Sequence, residues 1–228
     1  MTNKRMLRIL TEVNSAGDES SRSRSLCLVC SKIVVVTGAG IMIMTDDKQR
    51  GSICSSNSVS ALIEDLQYTL GEGPCIDAYR DDQPVTEADL QGNGFARWPG
   101  FAPAVLSAGV RAVFGFPMRV GGIRLGAMNL YRDRIGPLSD DQHADALVMA
   151  GVAARVFLGM SAKELEDNSD LRLNVHQAAG MVSVQLAISV GDALIRLRAY
   201  AFANSRPLDN LANDVVSGAI RFENLGYN

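Results

Sequence analysis

The sequence predicts an α+β protein in two parts: an antiparallel sheet flanked by helices, followed by a three-helix bundle. Three observations carry this. Two strand-like runs, 110–120 and 123–131, meet at Gly121-Gly122, a dipeptide that supplies the backbone angles of a tight hairpin turn. Helix-like runs open and close that region, and from about residue 169 onward the apolar spacing is helical throughout. With 228 residues, 47% of them hydrophobic and 21% charged, the chain has enough apolar side chains for two modest cores.

In chain order, residues 1–20 read as an N-terminal extension. Lys4, Arg5 and Arg8 begin it, but Glu12, Asn14 and Asp18 fall where a signal peptide needs its apolar centre. A cytoplasmic protein is expected, since no run approaches the roughly 20 apolar residues of a membrane span. Leu26, Cys27, Val29, Cys30, Ile33 and Val34 lie on one face of a leading helix, which Gly38 is expected to end. Residues 39–45, with Ile41 to Met44 in line, predict a buried strand. A second strand over 50–56 pairs with it across Asp46-Asp47-Lys48. After the hairpin, Ser139 and Gln142 predict a capping box opening a helix through Leu158.

Gly159 to Asn168 is short and charged, and Ser161-Ala162-Lys163-Glu164 offers a further capping box. In the helix expected over 169–186, Leu171, Val175, Ala178, Val182 and Leu186 form the apolar stripe, with Arg172, His176 and Gln177 opposite. Ala178 and Gly180 are expected where a larger side chain would hold helices apart. Ser189 caps a second helix by accepting from the amide of Asp192, and Val190, Ala193, Leu194, Leu197 and Ala201 are its predicted buried side. Pro207 suits the start of a third helix, along which Leu208, Leu211, Val215, Ala219 and Phe222 continue the stripe.

The chemistry-bearing residues are few. Cys27 and Cys30 form a Cys-x-x-Cys, but only His143 and His176 are present and no second close cysteine pair exists, so core packing is expected and no metal. Reduction in the cytoplasm leaves no structural disulfide to expect. Cys75 follows Gly71-Glu72-Gly73-Pro74 at the start of an expected helix, where the dipole lowers a thiol pKa; burial under a loop is the competing expectation and the preferred one. Gly92-Asn93-Gly94 and Gly121-Gly122 lack the Lys-Ser/Thr of a phosphate loop. His143, beside Asp140 and Asp141, reads as an exposed helix histidine rather than a base.

Two stretches resemble known families. Leu66-Gln67-Tyr68-Thr69-Leu70-Gly71-Glu72-Gly73-Pro74-Cys75, Trp98-Pro99, Gly109-Val110-Arg111-Ala112-Val113 and Leu125-Gly126-Ala127-Met128-Asn129-Leu130-Tyr131 resemble the GAF domain. His176-Gln177-Ala178-Ala179-Gly180-Met181, Ala193, Leu197-Arg198, Tyr200-Ala201, Arg206-Pro207-Leu208 and Leu211-Ala212 resemble the ANTAR domain of transcription antitermination regulators. The combination implies an N-terminal extension over 1–20, a GAF domain over 21–160 and an ANTAR domain with its linking helix over 161–228.

That resemblance implies a non-enzymatic regulator. The GAF domain takes a small-molecule or protein signal or dimerises, and the ANTAR bundle of a homodimer binds RNA hairpin loops. It implies no cofactor. The RNA-binding positions it marks are His176, Gln177, Ala178, Gly180, Arg198, Tyr200, Ala201 and Arg206, to which the polar face of the first helix adds Arg172. Arg196 and Arg198 diverge by about 200 degrees on a helix, and Arg198 follows the leucine of the family's Leu-Arg pair. The formal charge of −3 excludes a broad basic surface, so any RNA contact is focused. The family's lysine between the first alanine and the glycine, and its later arginine, are replaced by Ala179 and Gln185. Two further functions stand beside this one: a dimerising or protein-binding module that has lost RNA, and a thiol enzyme using Cys75, as in GAF-fold free methionine sulfoxide reductases.

Overall fold

The computed structural model describes residues 2–15, 22–45, 48–160, 172–204 and 206–224. The chain divides into two units, Met1–Leu171 and Arg172–Asn228.

The first unit is built on a five-stranded antiparallel sheet of order β2-β1-β5-β4-β3. Its strands are β1 (Gly38–Thr45), β2 (Lys48–Ser55), β3 (Val85–Glu87), β4 (Ala112–Val120) and β5 (Ile123–Arg132). The β4–β5 hairpin is the one expected, and Gly121 turns it with φ of 60°. The β1–β2 pairing also matches the expectation. Asp46 and Asp47, assigned to its turn, lie outside the described residues.

Helices α1 (Thr2–Ser15), α2 (Arg22–Val34) and α7 (Asp140–Gly159) contribute to the same core as Ile41, Ile43, Phe114, Phe116, Met128 and Leu130 on one face of the sheet. Helix α7 begins with the expected capping box: the Gln142 amide donates to Ser139 Oγ, and the Ser139 amide donates to Gln142 Oε1. The other face carries α3 (Ser58–Leu70) and α4 (Pro74–Asp81), with α5 (Leu90–Arg97) and α6 (Phe101–Ser107) following. None of α1, α3, α5 and α6 was expected, because short helices rich in glycine or polar residues carry little periodic signal.

Helix α1 docks through Ile9 and Val13, both buried, and through one acidic anchor. Asp145 on α7 accepts from Arg5 Nε at 2.5 Å and Arg8 Nη2 at 2.6 Å, while Arg5 also reaches Asp141 at 2.6 Å. Replacing Asp145 with Ala leaves two arginines against an apolar layer, so a loss of about 2 kcal/mol is expected, discounted for the exposure of Arg8. Limited proteolysis should then cut within α1 first, and unchanged protection would refute this anchoring role.

Several expectations need correction. Helix α2 ends at Val34, where Val35 takes a left-handed φ of 57°; Gly38 is instead the first residue of β1. Cys27 is bonded to Cys54 on β2, with Cα atoms 5.9 Å apart, contrary to the expected absence of disulfides. Sequence spacing related Cys27 only to Cys30, whereas packing of α2 over β2 brings Cys54 beside it. His143 is half-buried, its ring edge against Phe116 at 5.2 Å, rather than exposed.

The second unit comprises α8 (Leu173–Leu186), α9 (Val190–Ala203) and α10 (Leu208–Val216), closed by a 3₁₀ turn at Phe222–Asn224. Its centre is Val175, Ala178, Val182, Ala193, Leu197, Ala201, Leu208, Leu211, Val215 and Phe222. Ser189 caps α9 as expected, accepting from the Asp192 amide at 3.0 Å. Val190 and Ala219 are exposed, contrary to expectation: the first sits at the helix start, and the second follows the end of α10. Leu171 and the capping box at Ser161–Glu164 fall outside the described residues.

Candidate functional site

In the first unit, the sheet face beneath α3 and α4 holds an unusual concentration of buried polar groups. Asn129 on β5 lies between Gly40 on β1 and Gly115 on β4, its partners across the two ladders. A Cβ at Gly40 would meet Glu64 Oε1 of α3 at 2.5 Å, and one at Gly115 would meet the Pro74 carbonyl oxygen at 2.2 Å. Glycine at both positions therefore lets the helices approach the strands. Glu64, Gln67 and Asn129 are all buried there, and both side-chain heteroatoms of Asn129 lack a hydrogen-bond partner among the described residues. Buried polar atoms are normally satisfied, so this face is organised around something other than apolar packing.

Cys75 lies in the same layer. Its amide donates to Gln67 Oε1 at 2.7 Å, which satisfies one of the exposed donors at the start of α4. The side chain is fully buried, and its thiol is pushed well above 9.0 by desolvation and then by Glu64, against a smaller lowering by the Gln67 hydrogen bond. Burial, the preferred expectation for this residue, holds, and it outweighs any lowering by the helix dipole. Cys30, also buried, is raised to about 12 by desolvation. A raised thiol pKa stabilises the fold below the unfolded value and is lost as pH rises through the interval. Stability should therefore fall above pH 9.0, and iodoacetamide should label both thiols only after unfolding. Rapid labelling of native protein at pH 8 would overturn this.

Nearby, Asp77 on α4 accepts from Arg80, from Arg97 Nε at 3.0 Å and from Trp98 Nε1 at 3.1 Å. This fixes α4 to the α5–α6 segment and accounts for Trp98 as a structural residue. Among the described residues, no cluster of three or more His, Cys, Asp or Glu side chains suited to a metal ion is present.

In the second unit, the nine candidate RNA-binding positions divide. Ala178 and Ala201 are buried between helices. Arg172 is buried at the start of α8 with φ of 46°, and its Nη1 lies 3.5 Å from Asp209 Oδ2; it is not on the solvent face. Arg206 is half-buried and ion-paired with Asp214 at 2.5 Å, and Tyr200 packs its ring on Phe222 at 5.5 Å. His176 and Arg198 are half-buried, and Gln177 is exposed. Gly180 does not serve close helix packing as expected, since a Cβ there meets nothing within 4 Å.

The substituted positions are also explained. Ala179 is fully buried, and Gln185 Oε1 accepts from the Phe222 amide at 2.8 Å, tying α8 to the closing turn. Sequence reading missed Phe202, which is 62% exposed on α9 one turn beyond Arg198. The i, i+4 spacing of the two residues was the available signal. Likewise, Asn129 lay inside a quoted stretch without being singled out, although a polar residue in an apolar strand was visible.

Among the described residues no single helix is long and apolar enough to cross a membrane. No curated protein matches the chain. Among solved structures, it is similar to the GAF domain of a phosphoenolpyruvate-protein phosphotransferase from Coxiella burnetii, 16% identical, covering 71% of this chain and 95% of that one with a TM-score of 0.52. The GAF domain of the Acinetobacter phosphoenolpyruvate-protein phosphotransferase is similar at 13% identity, covering 69% and 93%, with a TM-score of 0.51. These likenesses show the fold. A GAF domain profile matches residues 23–157, ending before the second unit. From the sheet order, the helical layers and a profile that spans more than half its length, this chain belongs to the GAF domain family.

Proposed function

We propose that the chain is a non-enzymatic regulator of the GAF-ANTAR type, acting as a homodimer. Its GAF domain receives a small-molecule or protein signal, and its C-terminal bundle binds RNA hairpin loops in transcription antitermination. The observation carrying the RNA reading is Phe202, an exposed ring one turn from Arg198, because unpaired bases are held by aromatic stacking beside cationic groups. The buried small residues Ala178, Ala193 and Ala201 support it by allowing three short helices to close tightly. Exposed Leu7, Leu28, Leu147 and Leu158 on α1, α2 and α7 support self-association. Full burial and a raised pKa at Cys75 support a non-catalytic protein.

The test is binding to tandem RNA hairpins at several salt concentrations. Arg198→Ala should weaken binding roughly tenfold and make the salt slope shallower by about one. A dimer should appear by light scattering. A monomer at high concentration with and without RNA would remove the dimer.

A second reading has its own support: Arg172 and Arg206 are engaged with aspartates, and a buried alanine stands where the family has a lysine. On that reading the bundle is a dimerising or protein-binding module without RNA affinity. Absence of hairpin binding at low salt would establish it over the first.

A further inference from the structure

Away from the face under α3 and α4, an open cleft of about 370 Å³ lies where α2 ends and where β5 leaves the sheet. Its walls include Lys32, Val35, Thr37, Arg132, Asp133 and Arg134. Three cations thus face one carboxylate, and that carboxylate is partly engaged: Thr37 Oγ1 donates to Asp133 Oδ1 at 3.0 Å. Lys32 and Arg134 are exposed, and neither makes an ion pair among the described residues.

The second observation is Arg132. This arginine is only 6% exposed, and two of its nitrogens are committed: Nη1 donates to the Pro137 carbonyl at 2.7 Å and Nη2 to Gln142 Oε1 at 2.6 Å. Its Nε is buried with no hydrogen-bond partner among the described residues. A buried guanidinium with an unused donor is costly, and desolvation followed by the nearby Arg134 charge pulls it below its ordinary pKa. An anion in the cleft offsets the crowded positive charge of Arg132 and Arg134.

We propose that this cleft binds the phosphate group of a small phosphorylated ligand, contacted by Lys32 and Arg134 with the buried charge of Arg132 behind them. The volume sits at the lower end of the roughly 300–1,000 Å³ typical of small-molecule sites, which suits a phosphate ester better than a macromolecule. The position is well placed to report binding. Gln142, which accepts from Arg132, donates through Nε2 to the Val34 carbonyl at 2.9 Å, so one side chain links the cleft to the end of α2 and the start of α7. The site is separate from the RNA-binding residues proposed above and does not depend on them.

The experiment is calorimetric titration of the whole chain with inorganic phosphate and with phenyl phosphate, at ionic strength held constant with chloride. Saturable binding of either probe is expected, and binding by only one identifies free phosphate or an ester as the source. The double variant Lys32→Ala/Arg134→Ala changes only exposed side chains and should keep the parent's unfolding temperature without ligand. It should weaken binding at least about tenfold, the loss of one or two charge-assisted contacts. Failure of both probes to saturate, or equal affinity in the double variant, overturns the proposal. So does a short RNA that binds through Lys32 and Arg134 where neither phosphate probe does.

Discussion

Reducing the Cys27–Cys54 bond is expected to lower the stability of the first unit by about 3.5 kcal/mol, the loop-closure entropy that a cross-link over about 27 residues removes from the unfolded chain. For a unit of this size that corresponds to a fall of roughly 10 °C in the unfolding midpoint. The bond joins α2 to β2, an edge strand that pairs, among the described residues, with β1 alone, so reduction releases an edge as well as loosening a loop. Cys27→Ala/Cys54→Ala should match the reduced parent and should no longer respond to reductant. A midpoint unchanged by reductant, in protein shown by mass to be oxidised beforehand, would refute the contribution.

The second large effect is expected at Gly115. An alanine methyl there points at the Pro74 carbonyl at 2.2 Å, a backbone atom that cannot rotate away, so α4 must lift from the sheet. Overpacking of this kind costs about 3 kcal/mol, the upper part of its usual range. The consequence extends beyond stability, because α4 carries Cys75 and Asp77. Lifting it should open the layer containing Asn129 and make Cys75 reactive in the native state. Gly122→Ala is the control: a Cβ at that turn meets open space, and its cost should stay within about 0.5 kcal/mol. If chemical denaturation gave Gly115→Ala the same midpoint as Gly122→Ala, the close approach of α4 would not matter as argued.

The elements legible in sequence are those whose signal is local. The β4–β5 hairpin follows from Gly121-Gly122 and the strand-forming runs beside it. The start of α7 follows from Ser139 and Gln142, and the start of α9 from Ser189 and Asp192, because each cap satisfies amides within three residues. The buried side of the C-terminal bundle was legible for the same reason: helical spacing assigns Val175, Ala178 and Val182 to one face without knowledge of what covers it.

Residues whose role depends on distant partners were not legible. Arg172 and Arg206 look like solvent-facing cations in sequence, and only folding brings Asp209 and Asp214 beside them. For Cys75 burial was legible, but the distant neighbour that raises its thiol further, Glu64 of α3, was not. Gly180 read as a packing glycine because spacing reports that a residue is small, not what it faces. The same holds for the basic cleft: Lys32 and Arg132 are 100 positions apart, and the end of α2 meets the end of β5 only because the sheet between them is complete.

By itself, then, the sequence determined an α+β chain with a hairpin-based sheet and a helical C-terminal unit, because periodicity and capping act over a few residues. Which cysteines are joined, which cations remain available for a ligand and which polar groups are sealed from water were decided by tertiary structure alone, since charge pairing and desolvation depend on distances through space.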